Sequence, residues 1–176
     1  MVTLVTFAGI LWGLSGPITV PIGDGIVIHG YMMWVALVYA VSRAVTPLRL
    51  APGDDLRQTL ETWMGEQQEQ AGCVISAVGS LSVAQLRYGG AAEATTIRGN
   101  LEILSLAGTL SPDGAHLHIA IAVSSGDVIG GHLGPGSLVR TTAELLIGLL
   151  PDWRFSRELD PATSAAELRM SPWGLG

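Results

Sequence analysis

HLHIAIAVSSGDVIGGHL, residues 116–133, decides the fold. Apolar residues dominate HLHIAIAV and open DVIGGHL, and Ser125-Gly126-Asp127 between them has turn-forming composition, so the stretch predicts two antiparallel strands joined as a hairpin. Side chains two apart on a strand share a face, which sends His116 and His118 the same way. With a three-residue loop Ser124 faces Val128, and His132 lies opposite Ala120, diagonal to His118 and on the same face. A two-residue loop would turn His132 to the other face; a bulge at Gly126 or Gly130 is another route to the shared face.

Further short apolar runs lie on either side: CVISAV, VAQLRY and LEILSLAGT before it, SLVRTTAELLIGLL after it, with Gly, Ser, Asp and Pro between them. They predict a mostly antiparallel sheet. Arg49-Leu50-Ala51-Pro52-Gly53 reads as a short strand and turn, and Asp54 or Asp55 offers a helix N-cap. Leu56, Leu60, Trp63 and Met64 then recur at helical spacing, polar residues continue to Gln70, and Gly72 is a plausible stop. The fold class expected is therefore α+β: a mostly antiparallel sheet packed with one main helix plus short helices.

The first 46 residues read differently. From Met1 to Ser42 the only formal charge is Asp24. Two apolar runs flank Pro21-Ile22-Gly23-Asp24-Gly25, and Arg43 and Arg49 follow the second run. Their length approaches that of a bilayer span, so an apolar helical hairpin is expected to precede the domain and to tether it to the inner membrane. The basic residues would keep residues 47–176 cytoplasmic. The domain organisation expected is an apolar, membrane-like segment over 1–46, a folded domain over 47–170, and a frayed tail over 171–176.

The chain has 48% apolar residues, no lysine, nine arginines and a net charge of −6. From Ala51 onward seven arginines face fourteen acidic residues. That balance argues against nonspecific DNA binding, which needs several phosphates neutralised. One cysteine, Cys73, excludes an intrachain disulfide; within AGCVISAVGS it reads as a small core residue.

Several separated motifs resemble the PPC domain, a family shared by plants and prokaryotes. They are Arg49-Leu50-Ala51-Pro52-Gly53-Asp54-Asp55-Leu56, Gly79-Ser80-Leu81, Leu86-Arg87-Tyr88, Gly99-Asn100-Leu101-Glu102-Ile103-Leu104-Ser105-Leu106, Gly108-Thr109, His116-Leu117-His118, Gly130-Gly131-His132, Thr141-Thr142-Ala143-Glu144 and Phe155-Ser156-Arg157-Glu158-Leu159-Asp160-Pro161. The resemblance implies an α+β domain that assembles as a homotrimer and serves assembly and partner binding. Plant members carry AT-hooks before it. No Arg-Gly-Arg-Pro hook occurs here, so DNA binding rests only on the label that prokaryotic members carry by analogy. Ser137 and Thr163-Ser164 depart from the family pattern. Residues 1–45 also resemble part of the membrane region of BacA-like peptide-uptake ABC transporters. The chain has no GxxxxGK[ST] phosphate loop, and no transport activity follows.

His116, His118 and His132 are the candidate metal ligands. Neutral imidazoles suit Zn²⁺, Cu²⁺ or Ni²⁺, with zinc expected first. The other reading of the three histidines is hydrogen bonding at a subunit interface. Glu102 and Glu144 are carboxylates that would orient a histidine or pair with Arg87 or Arg140. The leading expectation is a non-catalytic homotrimeric module with bound metal. Its rival is a metal-dependent enzyme in which an open three-histidine site activates water. DNA contact would require Arg87, Arg98, Arg140, Arg154 and Arg157 to converge.

Overall fold

The computed structural model describes residues 19–22, 26–29 and 44–174. The chain divides into two units, residues 1–43 and 44–176. In the first, β1 (Thr19–Ile22) and β2 (Ile26–His29) pair antiparallel, Thr19 opposite His29 and Ile22 opposite Ile26. The expected apolar helical hairpin is thereby corrected: the described part of this segment is a strand pair. Six of these eight residues are β-branched, and Pro21 cannot sit inside a helix without losing a hydrogen bond. The remainder of that expectation falls on residues 1–18 and 30–43, outside the described residues. Among the described residues no helix is long and apolar enough to cross a membrane.

The second unit is built on a six-stranded antiparallel sheet. Its strands are β3 (Val45–Leu50), β4 (Gly72–Arg87), β5 (Thr95–Ser111), β6 (Gly114–Ala122), β7 (Val128–Leu133) and β8 (Leu138–Leu149), in spatial order β3-β8-β4-β5-β6-β7. A separate pair, β9 (Trp153–Asp160) with β10 (Ala165–Pro172), follows. The α+β expectation needs correcting here too. The described residues carry one helix, α1 (Leu56–Gly65), and are otherwise almost all strand and turn. The short helices expected beside it are absent among the described residues, because apolar runs read as separate pieces join into long strands. CVISAV and all of VAQLRY but its Tyr88 are parts of the 16-residue β4. Within the tail, Ser171 and Pro172 belong to β10, and Trp173 donates its N–H to the Asp152 carbonyl.

Pro47 is tolerated because β3 is an edge strand. β4 shares one edge between two partners, β8 along Gly72–Val83 and β7 at Leu86–Arg87. Register shifts between Val74 and Ser76, Gly79 and Leu81, and Leu81 and Val83 mark bulges, which bend a strand. The bend lets β4-β5-β6-β7 close on itself at one end, and this brings His132 beside Arg87.

Asp55 is the N-cap of α1. Its Oδ1 accepts the N–H groups of Arg57 and Gln58, each at 3.1 Å, and its Oδ2 accepts from Gly136. The helix stops at Gly65, earlier than the polar run suggested, with Glu66 N–H bonded to the Thr62 and Trp63 carbonyls. Leu56, Leu60 and Met64 are fully buried and join the core with Leu81, Leu86, Leu101, Leu117, Ile121 and Leu133. Burying the three helical side chains contributes about 5–8 kcal/mol before conformational entropy is set against it.

The flank of α1 next to this apolar stripe carries a polar latch. Arg57 Nε donates to Glu61 Oε1 at 2.9 Å, Nη1 to the Leu133 carbonyl at 2.8 Å, and Nη2 to the Ala115 carbonyl at 2.9 Å. Glu61 Oε1 also accepts the Ala115 N–H at 3.1 Å. One ion pair thus holds the start of β6 and the end of β7. Arg57→Ala leaves two carbonyls and a carboxylate without their donor, and is expected to lower the free energy of unfolding by about 2–4 kcal/mol. Arg169→Ala removes the exposed Arg169–Glu158 pair at 3.3 Å and is expected to change it by less than about 0.5 kcal/mol. Urea denaturation of both variants checks the contrast; equal losses would refute the latch.

Candidate metal centre

His116 and His118 alternate with buried Ala115, Leu117 and Ile119 along β6, so the rings stand on the outer face while the strand's other face enters the core. Val123 N–H donates to the Asp127 carbonyl and Gly126 N–H to the Val123 carbonyl, and Gly126 has φ +89°. A three-residue loop with its last residue left-handed accounts for this pattern. The loop is Ser124-Ser125-Gly126, one position earlier than expected, and Ala122 rather than Ser124 faces Val128. His132 consequently lies directly opposite His118, not diagonal to it. The shift moves the register by two residues, so the shared face survives.

The three rings converge. Nε2 of His116 and Nε2 of His118 are 3.2 Å apart. Ring centroids are separated by 5.0 Å for His116–His118, 5.2 Å for His116–His132 and 4.3 Å for His118–His132. One nitrogen from each ring lies within 4.8 Å of the other two. Nδ1 of His132 is 3.3 Å from the Arg87 carbonyl oxygen. A carbonyl only accepts, so that nitrogen carries a proton, which leaves Nε2 as the nitrogen available to meet a metal. Gly131 makes this contact available: a Cβ there would stand 2.9 Å from the Arg87 oxygen.

Electrostatics favour the neutral form at His116 and His118. Burial first, then Arg157, then the other two histidines push His116 below the ordinary imidazole value of 6.5, while Glu167 pulls it up. Burial, His132 and Arg87 likewise push His118 down. Neutral imidazole is the form that binds metal. Two ligand nitrogens on a tetrahedral zinc with bonds of about 2.0–2.1 Å stand roughly 3.3 Å apart, close to the separation of the His116 and His118 nitrogens. The donor set and its spacing therefore fit a transition-metal ion, and the three histidines can hold one.

The carboxylates are not part of this cluster. Glu102 is exposed on β5 opposite Ala122, and Glu144 is exposed on β8 opposite Arg49 and Val78. Neither is hydrogen-bonded to a histidine, and neither pairs with Arg87 or Arg140; the two ion pairs among the described residues are Arg57–Glu61 and Arg169–Glu158. Of the five arginines considered for nucleic acid, Arg87 and Arg157 stand beside the histidines and Arg154 lies over the Trp173 ring at 5.5 Å. Arg98 and Arg140 are exposed on β5 and β8. Sequence reasoning missed Arg57 and Glu61, which secure the neighbours of His116 and His132. Their i, i+4 spacing was the available signal, but it resembles any exposed helix pair.

Fold and site define a class of mostly antiparallel β domains with three imidazoles on the outer face of one hairpin. Residues 39–151 match the Plants and Prokaryotes Conserved (PCC) domain, the family called PPC above, and the chain belongs to it. The match begins before Pro47 and ends before β9. The chain is 50% identical over 131 residues to a bifunctional protein GlmU of Synechococcus sp. (strain JA-2-3B'a(2-13)), an overlap of 74% of this chain and 21% of that protein. It thus spans about a fifth of the length of the curated relatives it matches. A hypothetical protein from Salmonella enterica has a similar structure, with TM-score 0.71 and 39% identity over 73% of this chain and 93% of that one. A metal-containing protein from Archaeoglobus fulgidus has TM-score 0.57 and 27% identity over 70% and 91%.

With the metal-free protein, NMR titration should place the midpoints of His116 and His118 below 6.5. The unfolded chain then binds more protons than the folded one in that range. Stability is fully present above the unfolded value and falls as pH drops through the folded-state values. A midpoint at or above 6.5 for either ring would contradict the electrostatics described.

Proposed function

We propose that this chain is a metal-binding assembly module: a homotrimer in which His116, His118 and His132 hold a divalent transition metal, zinc first, and whose surface receives a protein partner. The observation that carries the metal reading is the 3.2 Å approach of two imidazole nitrogens beside a third ring whose Nδ1 proton is fixed by a carbonyl. The Archaeoglobus relative described as metal-containing supports it. When bound, such an ion would cross-link β6 and β7 and present its charge at the surface.

Assembly is supported by the outer face of the sheet. Ile75, Val78, Leu104 and Leu146 are 53%, 57%, 53% and 43% exposed. Leu146 faces Pro47 and Ser76 on its two neighbours, and Val78 lies along the same stretch of β4. A second copy of the chain suits such an apolar strip better than water does. Direct DNA contact is left outside this reading, since a net charge of −6 opposes the phosphate backbone.

Metal analysis and native mass of the purified full chain test the proposal. The expected result is about one zinc per chain and a particle three times the chain mass of 18.4 kDa. His118→Ala should lose most of the metal. A metal-free wild type would defeat the metal reading, and a monomer would defeat the assembly reading.

A further inference from the structure

Among the described residues, neither arginine beside the histidines forms an ion pair. Arg157, on β9, donates from Nη2 to Thr109 Oγ1 at 3.1 Å, and Thr109 is the direct β5 partner of His116. Directly opposed residues project to the same face, so Thr109 carries the guanidinium to the side where the rings stand. Arg87 is the direct β4 partner of His132 and is exposed. It has no side-chain hydrogen bond among the described residues, and neither arginine forms an ion pair there. Asp113 Oδ2 accepts the backbone N–H of Arg157 at 3.2 Å, not its guanidinium. Glu167 accepts from Thr163 Oγ1 at 3.1 Å.

Two guanidinia thus approach one cluster of imidazoles from opposite flanks, β9 over His116 and β4 beside His132. Arg49, Arg98, Arg140 and Arg154 also form no ion pair among the described residues; what sets Arg87 and Arg157 apart is that both flank the histidines. Guanidinium groups recognise carboxylates and phosphates through directed N–H donors, and an ion held by three imidazoles keeps room for a further donor. We infer that His116, His118 and His132 with Arg87 and Arg157 form a receptor for a small oxyanion, a carboxylate or phosphate group. The inference rests on the metal reading above and adds the chemical class of what the site receives. Arg157 lies beyond the part of the chain that matches the family domain, so β9 supplies one of the receptor's two arginines.

The test uses the full chain loaded with cobalt(II) in place of zinc, whose visible absorption reports on donors around the ion. Acetate and inorganic phosphate are titrated separately, which distinguishes the two sources of the oxyanion. The wild type should respond saturably to at least one of them. Arg157→Gln and Arg87→Gln should each take up cobalt normally yet bind the responding anion roughly tenfold more weakly, the loss expected for one charge-assisted hydrogen bond. Arg157→Lys should recover part of the loss, and Arg169→Gln should behave as wild type. A wild type that takes up cobalt but ignores both anions overturns the inference, as do both glutamine variants binding like wild type. Failure of the wild type to take up cobalt would instead remove the metal reading, and the inference with it, before any anion is added.

Discussion

The contact between Arg57, Glu61 and the ends of β6 and β7 is the constraint on which the remaining structure depends. α1 buries Leu56, Leu60 and Met64, but apolar contacts alone would leave the helix free to slide. The guanidinium removes that freedom by meeting two carbonyls and a carboxylate at 2.8–2.9 Å. Those carbonyls belong to Ala115 and Leu133, each one residue from a histidine. Since neighbouring strand residues project to opposite faces, fixing the inner residue fixes the outer one. The latch inside the domain thus sets where two imidazoles stand outside it.

The second requirement is parity. β6 and β7 could pair in several registers, and half of them would hide His132 from the other rings. The loop Ser124-Ser125-Gly126, closed by Gly126 at positive φ, selects a permitted one. The far end of β7 is tied independently to β4 through Leu86–Leu133 and Arg87–His132. Two ties on a six-residue strand leave little room for slippage, and the Arg87 carbonyl that completes the second tie also orients the His132 ring. Gly131 serves both purposes, because any larger residue would crowd that carbonyl.

The site was more legible in the sequence than the architecture around it. Alternation in HLHIAIAV revealed the shared face of His116 and His118, and the turn residues revealed the hairpin. The error was one position in the loop, which short polar residues do not fix. The main helix was legible through Leu56, Leu60 and Met64. The number of helices was not, because the bulges that let β4 run unbroken through Gly79 and Ser80 leave no distinct composition. The N-terminal misreading had a different cause. Apolar content was taken as evidence of helix, although β-branching around Pro21 favours strand in the described pairs. The positions of Glu102 and Glu144, away from the three histidines, were not legible, because proximity across a sheet depends on register and composition says nothing about register.

Placing imidazoles at the β6–β7 pair has a consequence for how binding couples to folding. β7 closes the sheet through two residue pairs with β4, beside the five it makes with β6. An ion shared by His118 and His132 would join directly opposed residues of β6 and β7, adding a third tie at the end where β7 meets β4. Anything that binds the folded arrangement and not the unfolded chain stabilises it in proportion to its affinity. The same closure brings Arg87 to the histidines, so the positive flank and the ligand cluster are made by one structural event. A metal held there would therefore be coupled to the closure: loosening β7 from β4 would part the ligand cluster from Arg87, while a bound ion would favour the closed arrangement.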